Sequence, residues 1–159
     1  MSDATASLLL VRDFVNTFEV ESRADSLAAS GLVGRAELDE AREVREALRE
    51  LLIANNRLPA DVDRASRVLD RAAQRVGLSV RFADGTAKVR APEGLGLVLA
   101  AAAEAMTSSD WPRLKACRAE DCHWAFLDRA KNRSRSWCDM KVCGNRQKVH
   151  RYRARHGGG

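Results

Sequence analysis

Four cysteines near the C-terminal end of the chain are the residues whose type and spacing point most directly to chemistry. They are all the cysteines of the 159-residue sequence, and they form two pairs, Cys117 with Cys122 and Cys138 with Cys143. Fifteen residues separate the pairs, a finger-length loop that suits four thiolates around one tetrahedral Zn²⁺. Four protein ligands close the coordination sphere, so the pattern favours a structural ion. Disulfide bonds are the main alternative, and a reactive dithiol pair is the second.

The cellular compartment affects whether the cysteines bind a metal or form disulfide bonds. Residues 1–5 lack the basic start of a signal peptide, and no apolar run approaches the roughly 20 residues that cross a bilayer. We therefore expect a cytoplasmic protein without a membrane partner. In a reducing cytosol, paired cysteines serve as metal ligands more often than as disulfides.

The residues around the cysteines predict the elements that hold them. Residues 113–117 and 124–127 have strand character, and residues 140–156 favour a helix. The expected order is a turn with two ligands, a hairpin, and a helix whose start carries the other two, which is a treble-clef-like arrangement. His123 follows a ligand and could replace one, but we expect it beside the metal or on the surface.

The aromatic side chains of this segment have two interpretations. As the small core around the metal they would be buried, whereas stacking on unpaired bases needs at least one exposed ring. The residues concerned are Trp124, Phe126, Trp137 and Tyr152.

The net charge of +5 is divided unevenly along the chain. Residues 112–159 contain 13 Lys and Arg against 4 Asp and Glu, giving +9, whereas residues 1–111 contain 14 against 18, giving −4. A basic segment joined to a mildly acidic body is typical of polyanion-binding proteins, and a solvated tail that aids solubility is the alternative.

The predicted C-terminal helix carries most of the candidate nucleic-acid contacts. Val142, Val149 and Tyr152 form a narrow apolar stripe that we expect to pack against the finger, with the basic side chains on other faces. Asn145 could read a base edge, but we favour a hydrogen bond that holds the turn around the metal. The predicted phosphate-binding residues are Arg133, Arg135, Arg146, Lys148, Arg151, Arg153 and Arg155.

The N-terminal part of the chain is mainly helical by periodicity. Helices are predicted over residues 8–18, 35–54, 59–76 and 95–106, the last of them buried nearly all round. Residues 78–91 alternate on both sides of Asp84-Gly85, which predicts a β-hairpin. Arg42, Arg45 and Arg49 are assigned to a solvated helix face.

Three polar residues interrupt the apolar sequence of the first predicted helix. Asp13, Asn16 and Thr17 share a face, so they either hydrogen-bond to neighbouring chain or line a small ligand pocket. The polar stretch 107–110 predicts a linker, and we place a domain boundary near 108–112. The expected class is thus α+β: a mainly helical domain with one β-hairpin over residues 1–110, then a small treble-clef-like zinc finger over 111–156.

Two segments resemble known bacterial sequences. The cysteine segment, with Trp124, Phe126, Asp128, Asn132, Arg135-x-Trp137-Cys138-x-Met140 and Cys143-Gly144-Asn145-Arg146, resembles the CGNR-type zinc finger. Residues 13–17, Asp-Phe-Val-Asn-Thr, resemble the opening of the ABATE domain that precedes this finger. The resemblance implies an α+β N-terminal domain, a treble-clef-like finger and a role in stress-related transcription regulation.

Together these observations predict a DNA-binding transcriptional regulator with one structural Zn²⁺. Duplex DNA is the expected partner, and residues 1–110 would sense an unidentified small molecule or form a homodimer. An RNA-binding module and a protein-interaction adaptor are the alternatives. We do not expect an enzyme, because the sequence has no Ser/His/Asp order, no paired carboxylates in an apolar setting and no phosphate-binding glycine loop.

Overall fold

Helices and two short antiparallel hairpins make up the regular structure of residues 3–156, the part of the chain that the computed structural model describes. The main elements are α1 (Asp3–Val15), α2 (Leu38–Asn55), α3 (Val62–Val76), β1 (Ser79–Ala83), β2 (Thr86–Arg90), α4 (Leu95–Thr107), β3 (Leu114–Ala116), β4 (Ala125–Leu127) and α5 (Asn145–His156). Short 3₁₀ turns lie at Leu27–Ala29, Arg35–Glu37 and Trp111–Arg113, and a wide π-type turn spans Met140–Gly144. The predicted mixture of helices and small hairpins is confirmed. None of the described helices is both long and apolar enough to cross a bilayer.

The core forms where α1 packs on α4 and where α2 packs on both α1 and α3. Phe14 of α1, Leu48 of α2 and Val98 of α4 are almost completely buried in it. Helix α1 starts earlier and ends earlier than the predicted range of 8–18. It stops at Val15 because the chain turns there, and the Thr17 hydroxyl donates to the Phe14 carbonyl at 2.7 Å.

Helices α2 and α3 are joined by a short connection and lie against each other, as their apolar stripes predict. The carboxylate of Asp61 caps α3 by accepting from the Arg64 backbone N–H at 3.0 Å. The helix ends at Gly77, whose φ of +73° is the left-handed conformation that glycine adopts without strain.

The predicted hairpin is formed by β1 and β2, which pair in the register Ser79 with Arg90 through Ala83 with Thr86. Its turn places both Asp84 and Gly85 at positive φ, 52° and 72°, as a two-residue hairpin turn requires. Strand β2 touches α4, but nearly every residue of both strands is exposed. The hairpin therefore projects from the helices instead of completing their core.

The second hairpin, β3–β4, joins the main core although it belongs to the cysteine segment. Leu114, Ala116 and Ala125 are fully buried in the same apolar cluster as the helices, and β3 contacts α2. The domain boundary near 108–112 stays a prediction, but apolar packing is continuous across it.

One assignment on α2 is wrong: Arg45 and Arg49 do not face solvent. Their residues are only 3% and 4% exposed. The polar connector after α1 folds over this face, and Asp25 accepts two hydrogen bonds from the Arg45 guanidinium, at 2.9 and 3.1 Å. The Phe18 ring lies 5.0 Å from the Arg45 guanidinium carbon and covers it. A carboxylate and an aromatic face thus compensate the burial of this charge.

Candidate metal centre

The four cysteine sulfurs converge on one point. All four Sγ atoms lie within 4.8 Å of one another, with 3.6 Å between Cys122 and Cys138 and 3.7 Å between Cys138 and Cys143. Tetrahedral zinc with Zn–S bonds of about 2.3 Å needs sulfurs roughly 3.8 Å apart. All four cysteines are free, and a disulfide would need sulfurs about 2 Å apart, so the disulfide alternative is rejected.

Backbone hydrogen bonds shape the turn that carries the first pair. The Cys117 N–H donates to the Trp124 carbonyl at 2.9 Å, and the Cys122 N–H donates to the Ala119 carbonyl at 3.0 Å. His123 has a positive φ of 46°, and its Nδ1 donates to the Cys117 carbonyl at 3.0 Å. The imidazole therefore orients the ligand turn and, as expected, is not part of the sulfur cluster.

A different device holds the second pair. Asp139 caps the π-type turn, because its Oδ1 accepts from the backbone N–H groups of Lys141 and Val142 at 2.7 and 3.1 Å. The turn places Cys143, which is 4% exposed, directly before α5 begins at Asn145. The last ligand is thereby coupled to the start of the basic helix.

The thiol pKa values show why this cluster needs a cation. Hydrogen bonds from Cys122 and Cys138 lower the pKa of Cys117 to about 2, so one thiolate forms readily. Donating to Cys117 raises the pKa of Cys122 to about 12, and the same interaction raises that of Cys138. Burial raises the pKa of Cys143. Four adjacent thiolates would repel one another without a divalent cation between them, so the donor set fits Zn²⁺ and forms a zinc-binding site.

A buried ion pair that no sequence pattern predicts joins β3 to the residue that follows β4. Lys115 Nζ donates to Asp128 Oδ2 at 2.7 Å and to the carbonyls of Arg133 and Arg135 at 2.7 and 3.0 Å. Asp128 is fully buried and also accepts from the Ala130 and Arg135 backbone N–H groups. The pair therefore fixes the loop between β4 and Cys138. Asp128 belongs to the residues that resemble a known finger, which was the one signal available.

Side chains from the helical part of the chain form hydrogen bonds with the backbone of the finger. Four side chains donate to its carbonyls: Asn16 to Ala125, Arg49 to His123, Asn55 to Leu114, and Asn56 to both Ala116 and Ser136, at 2.8–3.0 Å. Two of the acceptors lie next to ligand cysteines or in a ligand turn. The zinc site is consequently positioned by α1 and α2 as well as by its own strands.

The three polar residues that were predicted to share one face of the first helix make different contacts. Asn16 pairs with Ala125, and the buried Thr17 bonds to the Phe14 carbonyl and accepts from Arg45 at 3.2 Å. Asp13 is exposed and pairs with Arg12. Asp13 and Asn16 also line an open cavity of about 590 Å³ that Trp124, Arg129 and Arg135 share, whereas Thr17 does not reach it.

The predicted phosphate-binding residues differ in whether intramolecular contacts already occupy their side chains. The Arg135 guanidinium folds back onto the carbonyls of Trp137 and Cys138 and over the Phe126 ring, so intramolecular bonds occupy it. Arg146 pairs with Glu21 and Asp121, at 3.2 and 2.7 Å, and Arg133 reaches the Ser109 carbonyl at 3.4 Å. The remaining four are exposed, and none makes an ion pair with a described residue: Lys148, Arg151, Arg153 and Arg155.

The predicted apolar stripe of the C-terminal helix, of which Val142 lies in the π-type turn and the other two residues in α5, does not pack against the finger, contrary to expectation. Val142, Val149 and Tyr152 are 52%, 47% and 64% exposed, since α5 leaves the finger directly after the wide turn. The side chain of Asn145 is also exposed and makes no hydrogen bond with the described part of the chain, so the expected bond around the metal is absent. The helix is a projecting element held mainly at its start.

Among the aromatics, Phe126 and Trp137 pack against the cysteines, and that part of the core prediction is confirmed. Trp124 is 36% exposed, and Tyr152 is 64% exposed and stacks on His156 of its own helix. Two rings are therefore open to solvent.

Comparisons with known proteins agree with this geometry for one part of the chain. No curated protein matches the chain. Residues 113–156 match the family model of the CGNR zinc finger, which covers all four zinc ligands, the Lys115–Asp128 pair and the projecting helix α5.

Proposed function

We propose that the zinc-loaded protein is a DNA-binding transcriptional regulator that contacts duplex DNA through α5. The observation that carries the proposal is the free basic surface of this helix. Lys148, Arg151, Arg153 and Arg155 are exposed, and no acidic residue occurs between Met140 and His156 to neutralise them. A helix of this kind can follow phosphates and has the width that a major groove accepts.

In this proposal the metal has a structural role, and the protein is not an enzyme. Four cysteine ligands leave no open position for water or substrate. The bound ion would hold Cys143 and therefore the first turn of α5, so that the helix leaves the finger in one direction. Arg146 supports the same orientation through its pairs with Glu21 and Asp121.

We further propose that the finger is treble-clef-like and that residues 1–110 form an ABATE-like unit of a cytoplasmic, stress-related regulator. The mildly acidic charge of this part, −4, disfavours phosphate binding over most of its surface. It would sense a small effector or form a homodimer. The cavity of about 590 Å³ beside Asp13 and Trp124 is the place where an effector would contact both parts of the chain.

The test is salt-dependent binding of a 20-base-pair random-sequence DNA duplex to the zinc-loaded protein. Arg151→Gln/Arg153→Gln should weaken binding about tenfold or more at moderate salt and reduce the slope of log K against log salt by about 2. Arg67→Gln/Arg71→Gln is the matched control, since it removes two exposed cations of α3. Salt-independent binding, or equal effects of both variants, contradicts the proposal.

An RNA-binding function is the second candidate, favoured by the exposed rings of Trp124 and Tyr152. Stacking on unpaired bases contributes about 1–3 kcal/mol for each ring. Selection from mixed random pools of DNA and RNA distinguishes the two. If single-stranded RNA is enriched and Trp124→Ala with Tyr152→Ala abolishes its binding, RNA replaces DNA as the partner.

A further inference from the structure

The β1–β2 hairpin separates its side chains into two very different faces. Directly paired residues lie on the same face of an antiparallel ladder, so the register places Arg81 beside Lys88 and Arg90 beside Ser79. The opposite face holds Val80 with Val89 and Phe82 with Ala87. The hairpin is thus cationic on one side and apolar on the other.

The cationic face is unfavourable for the stability of the hairpin itself. Like charges directly opposite each other, such as Arg81 and Lys88, destabilise a strand pair, and Arg90 lies diagonally across the strands from Arg81. All three side chains are exposed, and none has an ion-pair or hydrogen-bond partner within residues 3–156. The only carboxylate of the hairpin, Asp84, lies in the turn at its tip.

The shape of the element is suited to a polyanion. Both strands project from the helices, with β1 exposed at every position, so the cationic face is accessible along its length. A two-stranded ribbon is one of the two protein elements that fit a major groove, the other being a helix such as α5. Cations spaced along a ribbon can also follow a phosphate backbone without entering a groove.

We propose that the face formed by Arg81, Lys88 and Arg90, the hairpin basic face, is a second nucleic-acid contact that binds phosphates of duplex DNA. This inference rests on the proposed function and extends it to the N-terminal part of the chain. The mildly acidic body would then touch the duplex through one local basic surface. Two separate contacts would increase affinity without base recognition, because phosphates carry no sequence information.

The experiment measures binding of the same 20-base-pair duplex to the zinc-loaded full chain over a range of salt concentrations. Arg81→Gln/Lys88→Gln/Arg90→Gln should reduce the salt slope by about 2–3 and weaken binding at least about tenfold. Arg64→Gln/Arg67→Gln/Arg71→Gln on α3 removes the same charge from exposed positions and is the matched control. It should change the slope by less than about 1.

Zinc content and thermal unfolding verify that each variant is folded. Removing opposed like charges should not weaken the hairpin, and if the triple variant fails to fold, Lys88→Gln alone should still lower the slope by about 1. If the hairpin variant has the same affinity and salt slope as the α3 control, while Arg151→Gln/Arg153→Gln on α5 loses affinity, this inference is overturned and the proposed function stands. If the unmodified protein does not bind the duplex, the proposed function fails and this inference fails with it.

Discussion

The side-chain amide of Asn16 pairs with both backbone polar atoms of Ala125. Its Nδ2 donates to the Ala125 carbonyl at 2.9 Å, and its Oδ1 accepts from the Ala125 N–H at 2.8 Å. Asn16 follows the end of α1, and Ala125 opens β4, 109 residues later. The amide thus completes the edge of β4 as a neighbouring strand would, and it ties the first helix to the zinc finger.

Asn16→Ala should therefore lower the free energy of unfolding of the zinc-loaded protein by about 2–3 kcal/mol, because two backbone groups of Ala125 lose their partners. Urea unfolding followed by circular dichroism measures the change. Asp13→Asn, in the last turn of α1, is the control, since that carboxylate is exposed and its partner among the described residues is Arg12. Equal stability of the two variants would show that the Asn16 pairing has no energetic role.

Zinc removal should unfold the segment around the cysteines and leave much of the helical core in place. The purified protein should contain one zinc per chain, and X-ray absorption should show four sulfur neighbours at about 2.3 Å. Chelation should expose Trp137, which packs against the cysteines, and its fluorescence should change accordingly. The α1, α2 and α4 core has no metal ligand, so most of the helical signal should persist.

Substitution identifies the ligands of that ion. Cys138→Ser should reduce zinc affinity strongly, because one of four thiolates is lost. His123→Ala should retain one zinc with four sulfur neighbours, since the imidazole bonds to the Cys117 carbonyl and is not part of the sulfur cluster. A nitrogen neighbour in the spectrum of the unmodified protein would contradict the four-cysteine site.

The parts of the molecule that the sequence predicts well depend on local patterns. The two cysteine pairs, the Asp84-Gly85 turn and the helical periodicity of Val62–Val76 each specify their structure within a few residues. The errors concern contacts between distant segments. Arg45 and Arg49 look solvated by periodicity, but the connector after α1 folds over them, and the Arg49 guanidinium also donates to the His123 carbonyl of the finger.

The error about the C-terminal helix has the same cause, because the burial of its apolar stripe also depends on contacts with distant segments. The spacing of Val142, Val149 and Tyr152 suits an apolar stripe, but whether a stripe is covered depends on the direction in which α5 leaves the finger. The wide turn at Met140–Gly144 sets that direction, and no periodic pattern reveals it. Asn55 and Asn56 are similar, because a helix-ending pair of asparagines does not disclose the carbonyls that it will bind 56 to 80 residues later.

The buried pair of Lys115 and Asp128 should be costly to break from one side. Lys115→Met leaves the fully buried carboxylate without its cation, and we expect a loss of about 3–5 kcal/mol in the free energy of unfolding. Lys115→Met/Asp128→Asn should be less destabilised than Lys115→Met, because the charge is removed while one oxygen still accepts from the backbone. Urea unfolding of the zinc-loaded proteins provides the comparison.

An exposed ion pair is the control for this prediction. Arg75 pairs with Glu40 at 3.4 Å but is largely solvated, so Arg75→Met should change stability by no more than about 0.5 kcal/mol. If the double variant is as unstable as Lys115→Met, the loss comes from packing of the Lys115 side chain, and the buried charge is not its cause.

The pair of Asp25 and Arg45 should make stability depend on pH in the acid range. The hydrogen bond from Arg45 lowers the pKa of Asp25 from 3.8 to about 2, against the smaller raising effect of burial. Because the folded-state pKa is depressed, the ionised carboxylate stabilises the fold above about pH 4, and this contribution of about 2 kcal/mol is lost as pH falls from about 4 to about 2.

Asp25→Asn lacks the titrating group, so its difference in unfolding free energy from the unmodified protein should be constant above about pH 5 and shrink as pH falls below about 4. Comparing the two proteins at each pH removes the effect of acid on zinc binding, which both share. Parallel curves for Asp25→Asn and the unmodified protein down to pH 2 would show that Arg45 does not hold the Asp25 carboxylate ionised.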